Sequence, residues 1–591
     1  MSSIDDLFKK PHLPSNKRKL EPITAPSQVY KSAKLAPNGD AKGKGRATTV
    51  EDADDNEDDV EAGPELPPED EVDFGDDDEE GRFFGGGMDE KTASAMSYVD
   101  KAEEAGAAPE TIDSSWLRKL ALNFEKRISK NAELRAKFED EPQKFMGSEA
   151  DLDADIKSLS VLSEHPELYG EFAKLGCAGS LVSLLAHENT DIAIDAIEII
   201  SELTDEDVQA EQEQWDALVN GMLEADLLSL LVSNIERLDE ANEVDRNGVY
   251  HSLSVVENLS SNPSTIEVLG KEDSLLKWLL RRIQKKEKPV SQNKQYAAED
   301  LAILVQTSAP NRLALINLDA IDTILQLLAA YRKRDPPKDT EEEEFAENLF
   351  DFLACLVDEP AGKEKFVEAE GIELCLIMLR DAKFAKPRAL RLLDHALSGS
   401  PAGAAPVCER LVEAAGLKTI FSMFMKKNDG ANTEHLIGIL AALLRSLPGE
   451  SAGRIRTLAK FVEKDYEKIG RLIQVRRDYS SRLRLVDQAI QREKDALRPE
   501  AREELEDEWF SRRMEGGLFC LQTIDVILSW LVAEDGGAKK RIMELLADRD
   551  ETLADIRATL KEQFEGITGD DLGEGELMLK DMLSTLIGFL E

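Results

Sequence analysis

The chain has 591 residues, 119 of them acidic and 73 basic, for a formal charge of −46. Sequence-independent binding to DNA or RNA needs a cationic surface to displace backbone counterions, so composition excludes that class and favours a basic partner. Hydrophobic residues reach 42% and aromatics only 6%, a balance that can fill a large core and favours helices over sheets.

No apolar stretch near the start reads as a secretory signal, and no run approaches the roughly 18 apolar residues of a membrane span. The chain is therefore expected to be neither secreted nor embedded in a membrane. Five cysteines, at 177, 355, 375, 408 and 520, form no CxxC spacing. They suggest neither a zinc module nor a disulfide framework, and so a reducing compartment.

Residues 1–110 read as a disordered tail, rich in Pro, Gly, Asp and Glu without a lasting apolar period. Ten Lys/Arg face four acids in residues 1–50, whereas residues 51–80 hold eighteen acids and no base. Lys17, Arg18 and Lys19 form a short basic cluster between Pro14 and Pro22. It reads either as a nuclear localisation signal, which an importin would bind, or as plain solvated tail. The acidic block is a solubilising spacer or a decoy for a basic site. The Arg82-Phe83-Phe84 stretch after it is a docking peptide or a chance aromatic pair.

A helical pattern begins at Asp113, with Trp116, Leu117, Leu120, Phe124 and Ile128 at three-to-four spacing. One apolar phrase then recurs, first as Ser180-Leu181-Val182-Ser183-Leu184-Leu185. Its echoes end at Leu231, Leu280, Leu328, Leu379 and Met425, in steps of 46, 49, 48, 51 and 46 residues. Armadillo and HEAT repeats have a similar period. A second helix follows each phrase, over 194–203, 249–259, 297–305, 345–356, 389–397 and 436–447. No repeat can bury both helix faces alone. The expected fold is therefore an all-α, armadillo/HEAT-type right-handed solenoid over 111–450, including an N-terminal helical cap.

Residues 451–591 break the period. Residues 454–495 read as one long charged helix with a thin stripe of Ile455, Leu458, Val462, Ile469 and Ile473. The apolar stretch that follows reads either as a C-terminal helical cap or as a homodimer face.

The last helix of each unit is the default binding surface of such a solenoid. Aligning these helices places Glu202, Asn258, Gln306, Cys355 and His395 at equivalent positions. Glu198, Glu257, Glu299, Asp300, Glu347 and Asp351 add carboxylates along the same surface. Amides there would hold a peptide backbone and carboxylates its Lys or Arg side chains. The plain alternative for each acid is an ordinary solvated helix face.

Several stretches carry a family likeness. Leu122-Asn123-Phe124-Glu125-Lys126-Arg127 precedes the 131–138 run NAELRAKF, then Lys144-Phe145-Met146 and Ser148-Glu149. Later come His187-Glu188-Asn189-Thr190, Val255-Val256-Glu257-Asn258, Glu347-Asn348-Leu349-Phe350-Asp351, Leu393-Asp394-His395 and Arg512-Arg513-Met514-Glu515-Gly516-Gly517. In order and over roughly 113–591, these resemble the beta-catenin-like protein 1 family, with Glu141 and Gly147 sitting among the matched positions. The resemblance implies a nuclear, non-enzymatic armadillo scaffold of the spliceosome, attached to the Nineteen complex. It further implies binding of basic nuclear-localisation-type segments of splicing factors, notably the Cdc-five-like protein.

Catalytic motifs do not stand out. The six histidines are scattered, and neither HExxH, GxSxG nor a phosphate loop appears. No cofactor is expected. A competing reading is an importin-alpha-like import adaptor, which pairs each groove Asn with a Trp one turn earlier. Here those earlier positions hold Glu198, Ser254, Ala302, Asp351 and Arg391, so the Trp–Asn array is absent.

Overall fold

The structure is a computed structural model that describes residues 112–498, 502, 505–567 and 573–591. Lys17, Arg18, Lys19, the acidic block and residues 82–87 lie outside them. The described residues belong to one compact unit, Ala107–Glu591, and among them there are helices and no strands.

Helix α1 (Ser114–Lys137) starts where Asp113 caps it, its carboxylate accepting from the amides of Ser115 and Trp116, both at 2.9 Å. Helix α2 (Met146–Ser158) packs against it. Eighteen helices follow as six triplets. The first is α3 (Tyr169–Lys174), α4 (Cys177–Ser183) and α5 (Thr190–Thr204); the second is α6 (Gln212–Glu224), α7 (Leu227–Arg237) and α8 (Glu243–Ser260). The third is α9 (Pro263–Leu269), α10 (Asp273–Gln284) and α11 (Gln292–Gln306); the fourth is α12 (Ala309–Asn317), α13 (Ala320–Leu328) and α14 (Glu341–Leu356). The fifth is α15 (Pro360–Glu368), α16 (Gly371–Asp381) and α17 (Ala385–Leu397); the sixth is α18 (Pro401–Glu413), α19 (Gly416–Phe424) and α20 (Gly430–Ser446). Each recurring apolar phrase falls on the middle helix of a triplet, and each second helix on the last.

Local chemistry sets the boundaries. Proline stands in the first turn of α9, α12, α15 and α18, where its missing N–H removes nothing. Between the first and middle helices one residue turns left-handed: Gly176, Asp226, Asp319, Glu370 or Ala415. Only the third triplet lacks it. Asn189, Asn242, Ser291 and Asp429 cap α5, α8, α11 and α20 with side-chain oxygens. The last helices stack in sequence, α5 on α8, then α11, α14, α17 and α20, with α2 ahead of α5. Burying these faces joins the triplets into one continuous apolar cluster running from Leu117 to Leu590.

Six more helices close the chain: α21 (Ala452–Ala496), α22 (Glu506–Glu515), α23 (Leu518–Glu534), α24 (Gly536–Ala547), α25 (Leu553–Gly566) and α26 (Glu574–Phe589). Helix α23 is buried along most of its length and packs against α20 and α21.

The single long helix expected over 454–495 is corrected here. It breaks at Glu463–Tyr466, where Lys464, Asp465 and Tyr466 have φ of 53°, 56° and 61°. Nor does the expected stripe face inward throughout, because Ile455 is 60% exposed while neighbouring Arg454 is only 2% exposed. The reason lies across the junction. Arg454 Nε donates to Glu534 Oε2 at 3.0 Å and its guanidinium lies 4.8 Å from the Trp530 ring. A buried cation with a carboxylate and an aromatic face is satisfied, so the half before the break turns Arg454, Thr457 and Phe461 inward. The half after it buries Ile469, Leu472 and Ile473. One straight rod of 45 residues, about 68 Å long at 1.5 Å per residue, would not follow both surfaces.

Candidate functional site

Glu198, Glu202, Glu257, Asn258, Glu299, Gln306, Glu347, Asp351 and His395 all lie on the last helices of the triplets, and all nine are half-buried. Cys355 and Asp300 are buried. What binds each side chain divides this ladder into two halves.

In the first half, α5 to α11, Glu202, Glu257 and Glu299 each accept from a neutral donor. Ser163 Oγ donates to Glu202 at 3.1 Å, the Tyr296 hydroxyl donates to Glu257, and Gln295 Nε2 donates to Glu299 at 2.7 Å. Burial and acidic neighbours raise several carboxyl pKa values on these helices. Burial raises the Glu202 pKa above the ordinary value, and the charges of Glu198, Asp205 and Glu164 add to the shift. Asp195 is pushed up to about 8 by burial and by the Asp153 carboxyl beside it, although Lys157 opposes the change. Asp300 is held well above the ordinary range by complete burial, reinforced by Glu257 and Glu299.

In the second half, α14 to α20, bases from the next helix answer the acids. Arg388 pairs with Glu347, and Arg391 Nη2 meets Asp351 at 2.9 Å. His395 Nδ1 lies 3.1 Å from Asp358, and His435 Nδ1 lies 3.0 Å from Asp394. These links run from α14 or its C-terminal turn to α17, and from α17 to α20. They hold successive repeats together, the two arginines as ion pairs.

Asn258 does not lie free for a peptide backbone. Its Nδ2 donates to Ser201 O at 2.9 Å and to Thr204 Oγ1 at 3.2 Å, stitching α8 to the C-terminal turn of α5. Other side chains do the same for later helices. Arg312 Nη1 donates to Val305 O at 2.9 Å, and Lys363 Nζ donates to Val357 O at 2.7 Å and to His395 O at 3.0 Å. These donors satisfy carbonyls that every helix C-terminus leaves over. Cys355 is packed in the core and burial pushes its thiol up to about 12, the behaviour of an inert small hydrophobe. All five cysteines are buried and free.

Sequence reasoning missed Arg388, His435, Tyr296 and the Tyr250 ring beside it. A signal existed for the first two: Arg388 and Glu347 are 41 residues apart, as are His435 and Asp394, close to one repeat. A basic and an acidic residue at that separation fall on facing positions of neighbouring last helices. Among the described residues, no group of three His, Cys, Asp or Glu side chains is placed to hold a metal. No single described helix is long and apolar enough to cross a membrane.

The family model described as "Catenin-beta-like, Arm-motif containing nuclear" matches residues 93–561. The Beta-catenin-like protein 1 homolog of Schizosaccharomyces pombe is 37% identical over 525 residues, 87% of this chain and 91% of that protein. Beta-catenin-like protein 1 of Homo sapiens is 37% identical over 494 residues, 81% of this chain and 86% of its own length. Among solved structures, a beta-catenin chain from a study of a phosphorylation switch controlling its interaction with cadherin covers 84% of this chain and 96% of its own, at TM-score 0.43 and 13% identity. A designed armadillo repeat protein in complex with a (KR)4 peptide covers 45% of this chain and 98% of its own, at TM-score 0.34 and 18% identity.

Proposed function

Since the chain belongs to the catenin-beta-like family of armadillo-repeat proteins, a family described as nuclear, we propose that it is a non-enzymatic nuclear scaffold of the spliceosome. It binds basic, nuclear-localisation-type segments of splicing factors on the ladder of last helices. By the family resemblance, those partners include the Cdc-five-like protein and other members of the Nineteen complex.

One observation carries this reading. Glu202, Glu257 and Glu299 line successive last helices and are hydrogen-bonded by hydroxyl and amide groups. A row of carboxylates on successive repeats matches Lys and Arg side chains along an extended peptide. The charge of −46 makes the same partner favourable at longer range.

The test is to capture partners of the full chain from nuclear extract at moderate salt and identify them by mass spectrometry. Enrichment of Nineteen-complex subunits, weakening as salt rises, is the expected result. Enrichment of importin-beta with mixed cargo and without splicing proteins would overturn the scaffold reading in favour of an import adaptor.

A further inference from the structure

Away from the ladder, the C-terminal helices leave an open groove of about 500 Å³, walled by α21 on one side and by α22, α23 and α25 on the other. Its floor is apolar: Leu483 of α21 with Leu518 and Leu521 of α23. The α21 wall is polar. Ser480, Arg484 and Gln488 follow one another at four-residue spacing, which puts them on one ridge of the helix. Arg484 and Gln488 are exposed, and among the described residues none of the three side chains has a hydrogen bond or an ion pair.

The charges around this groove are already sorted. Asp487 and Glu562 both line it, and Arg513 takes both: its Nε meets Asp487 at 2.9 Å and its Nη1 donates to Glu562 at 2.5 Å. Arg484 is left as the one lining charge without a counterion. Leu485 follows it in sequence and lies one turn before Gln488. At 68% it is more exposed than any other large apolar side chain among the described residues, so apolar surface continues past the polar ridge.

An occupant has to answer these features together. The guanidinium fork of an arginine fits a carboxylate with two parallel hydrogen bonds. A serine hydroxyl and a glutamine amide suit a peptide backbone, and a leucine floor suits an apolar side chain. A polynucleotide fits poorly, because it needs several cations to displace its counterions, whereas the groove has one free cation on a chain of −46. A basic segment would meet Arg484 as a like charge.

We infer that this groove docks a short acidic–apolar segment of a partner protein, with an Asp or Glu side chain on Arg484 and a neighbouring large apolar side chain over Leu518 and Leu521. The site lies outside the ladder and takes the opposite charge, so it stands whether or not the basic-peptide reading holds.

The experiment selects displayed random peptides of about twelve residues on the full wild-type chain and, in parallel, on Arg484→Glu. Arg484 is exposed, so the two chains should share one thermal melt. Peptides that distinguish them are expected to carry Asp or Glu within a few residues of Leu, Ile, Met or Phe. By fluorescence polarisation, labelled copies should bind wild type about tenfold more tightly than Arg484→Glu, as for one good charged contact. Changing the peptide's acid to Lys should reverse that preference. Finding no peptide that distinguishes the two chains would overturn the proposal, as would distinguishing peptides that lack an acid. An Arg484-dependent dimer in sedimentation would also overturn it, by making the occupant a second copy of this chain.

Discussion

Asn131 and His187 meet across 56 residues of sequence, with His187 Nε2 3.0 Å from Asn131 Oδ1. The backbone N–H of Asn189 donates to His187 Nδ1 at 3.1 Å, so the proton of the neutral ring lies on Nε2 and donates to Asn131. Asn131 Nδ2 in turn donates to Ser148 Oγ at 3.0 Å. Arg135 pairs with Glu149 and Glu188 and lies 4.7 Å from the Phe145 ring. Nearly every residue in this network comes from the stretches that carry the family likeness. Those stretches dock α1 and α2 onto the first triplet.

Replacing Asn131 with Ala should therefore destabilise the protein by about 1–3 kcal/mol, because it strands the half-buried His187 N–H and takes a donor from Ser148, whose hydroxyl keeps its bond to Phe145 O. Chemical denaturation of the full chain measures this. A loss under about 0.5 kcal/mol, the size of an ordinary surface substitution, would contradict the account.

The same histidine sets a response to acid. Burial holds the His187 pKa below its ordinary value, so below about pH 6.5 the unfolded chain binds the proton more readily than the folded one. Stability should rise with pH through that window and fall on acidification. The melting temperature of His187→Gln should decline less than that of wild type between pH 7.5 and 5.

Asp195 should act with the opposite sign. Its folded pKa lies near 8, above the unfolded value, so between about pH 4 and pH 8 the folded state holds the extra proton. Stability should fall as pH climbs through this window, with the loss complete above about pH 8. Asp195→Asn should flatten the dependence, and a profile as steep as wild type would assign the effect elsewhere.

The two halves of the ladder should respond differently to charge reversal. Glu257→Lys is expected to weaken binding of a Lys/Arg peptide by about tenfold, with the loss shrinking as salt rises. Asp351→Lys faces Arg391 across a partly buried pair. Its main effect should be on stability, by roughly 1–3 kcal/mol, read as a lower melting temperature. Equal effects of the two variants on peptide affinity would place the binding surface across both halves.

Ala415 sits at φ 59° immediately before α19. A left-handed alanine costs roughly 1 kcal/mol relative to glycine, partly offset by the greater freedom of glycine in the unfolded chain. Ala415→Gly should stabilise by about 0.5 kcal/mol, and destabilisation would show that the turn carries no such strain.

Periodicity sufficed for the triplets, because an apolar phrase near every 48 residues and a second helix behind each one are local features with a local cause. The positions of the ladder residues followed from the same register. Their partners did not. Pairs such as Asn258 with Ser201, or Arg391 with Asp351, depend on how far one helix slides and turns against the next.

The amino-acid sequence by itself determined the all-helical class, the repeat, the proline and cap boundaries and the family, since all of these rest on composition and short-range spacing. Only the tertiary structure decided what each carboxylate meets. Glu257 and Asp351 look alike as half-polar positions on amphipathic helices. Packing puts a tyrosine hydroxyl against one and a guanidinium against the other. It also broke α21, because Arg454 found Glu534 across 80 residues. Long-range pairing of buried charge outweighed the local preference for one continuous helix.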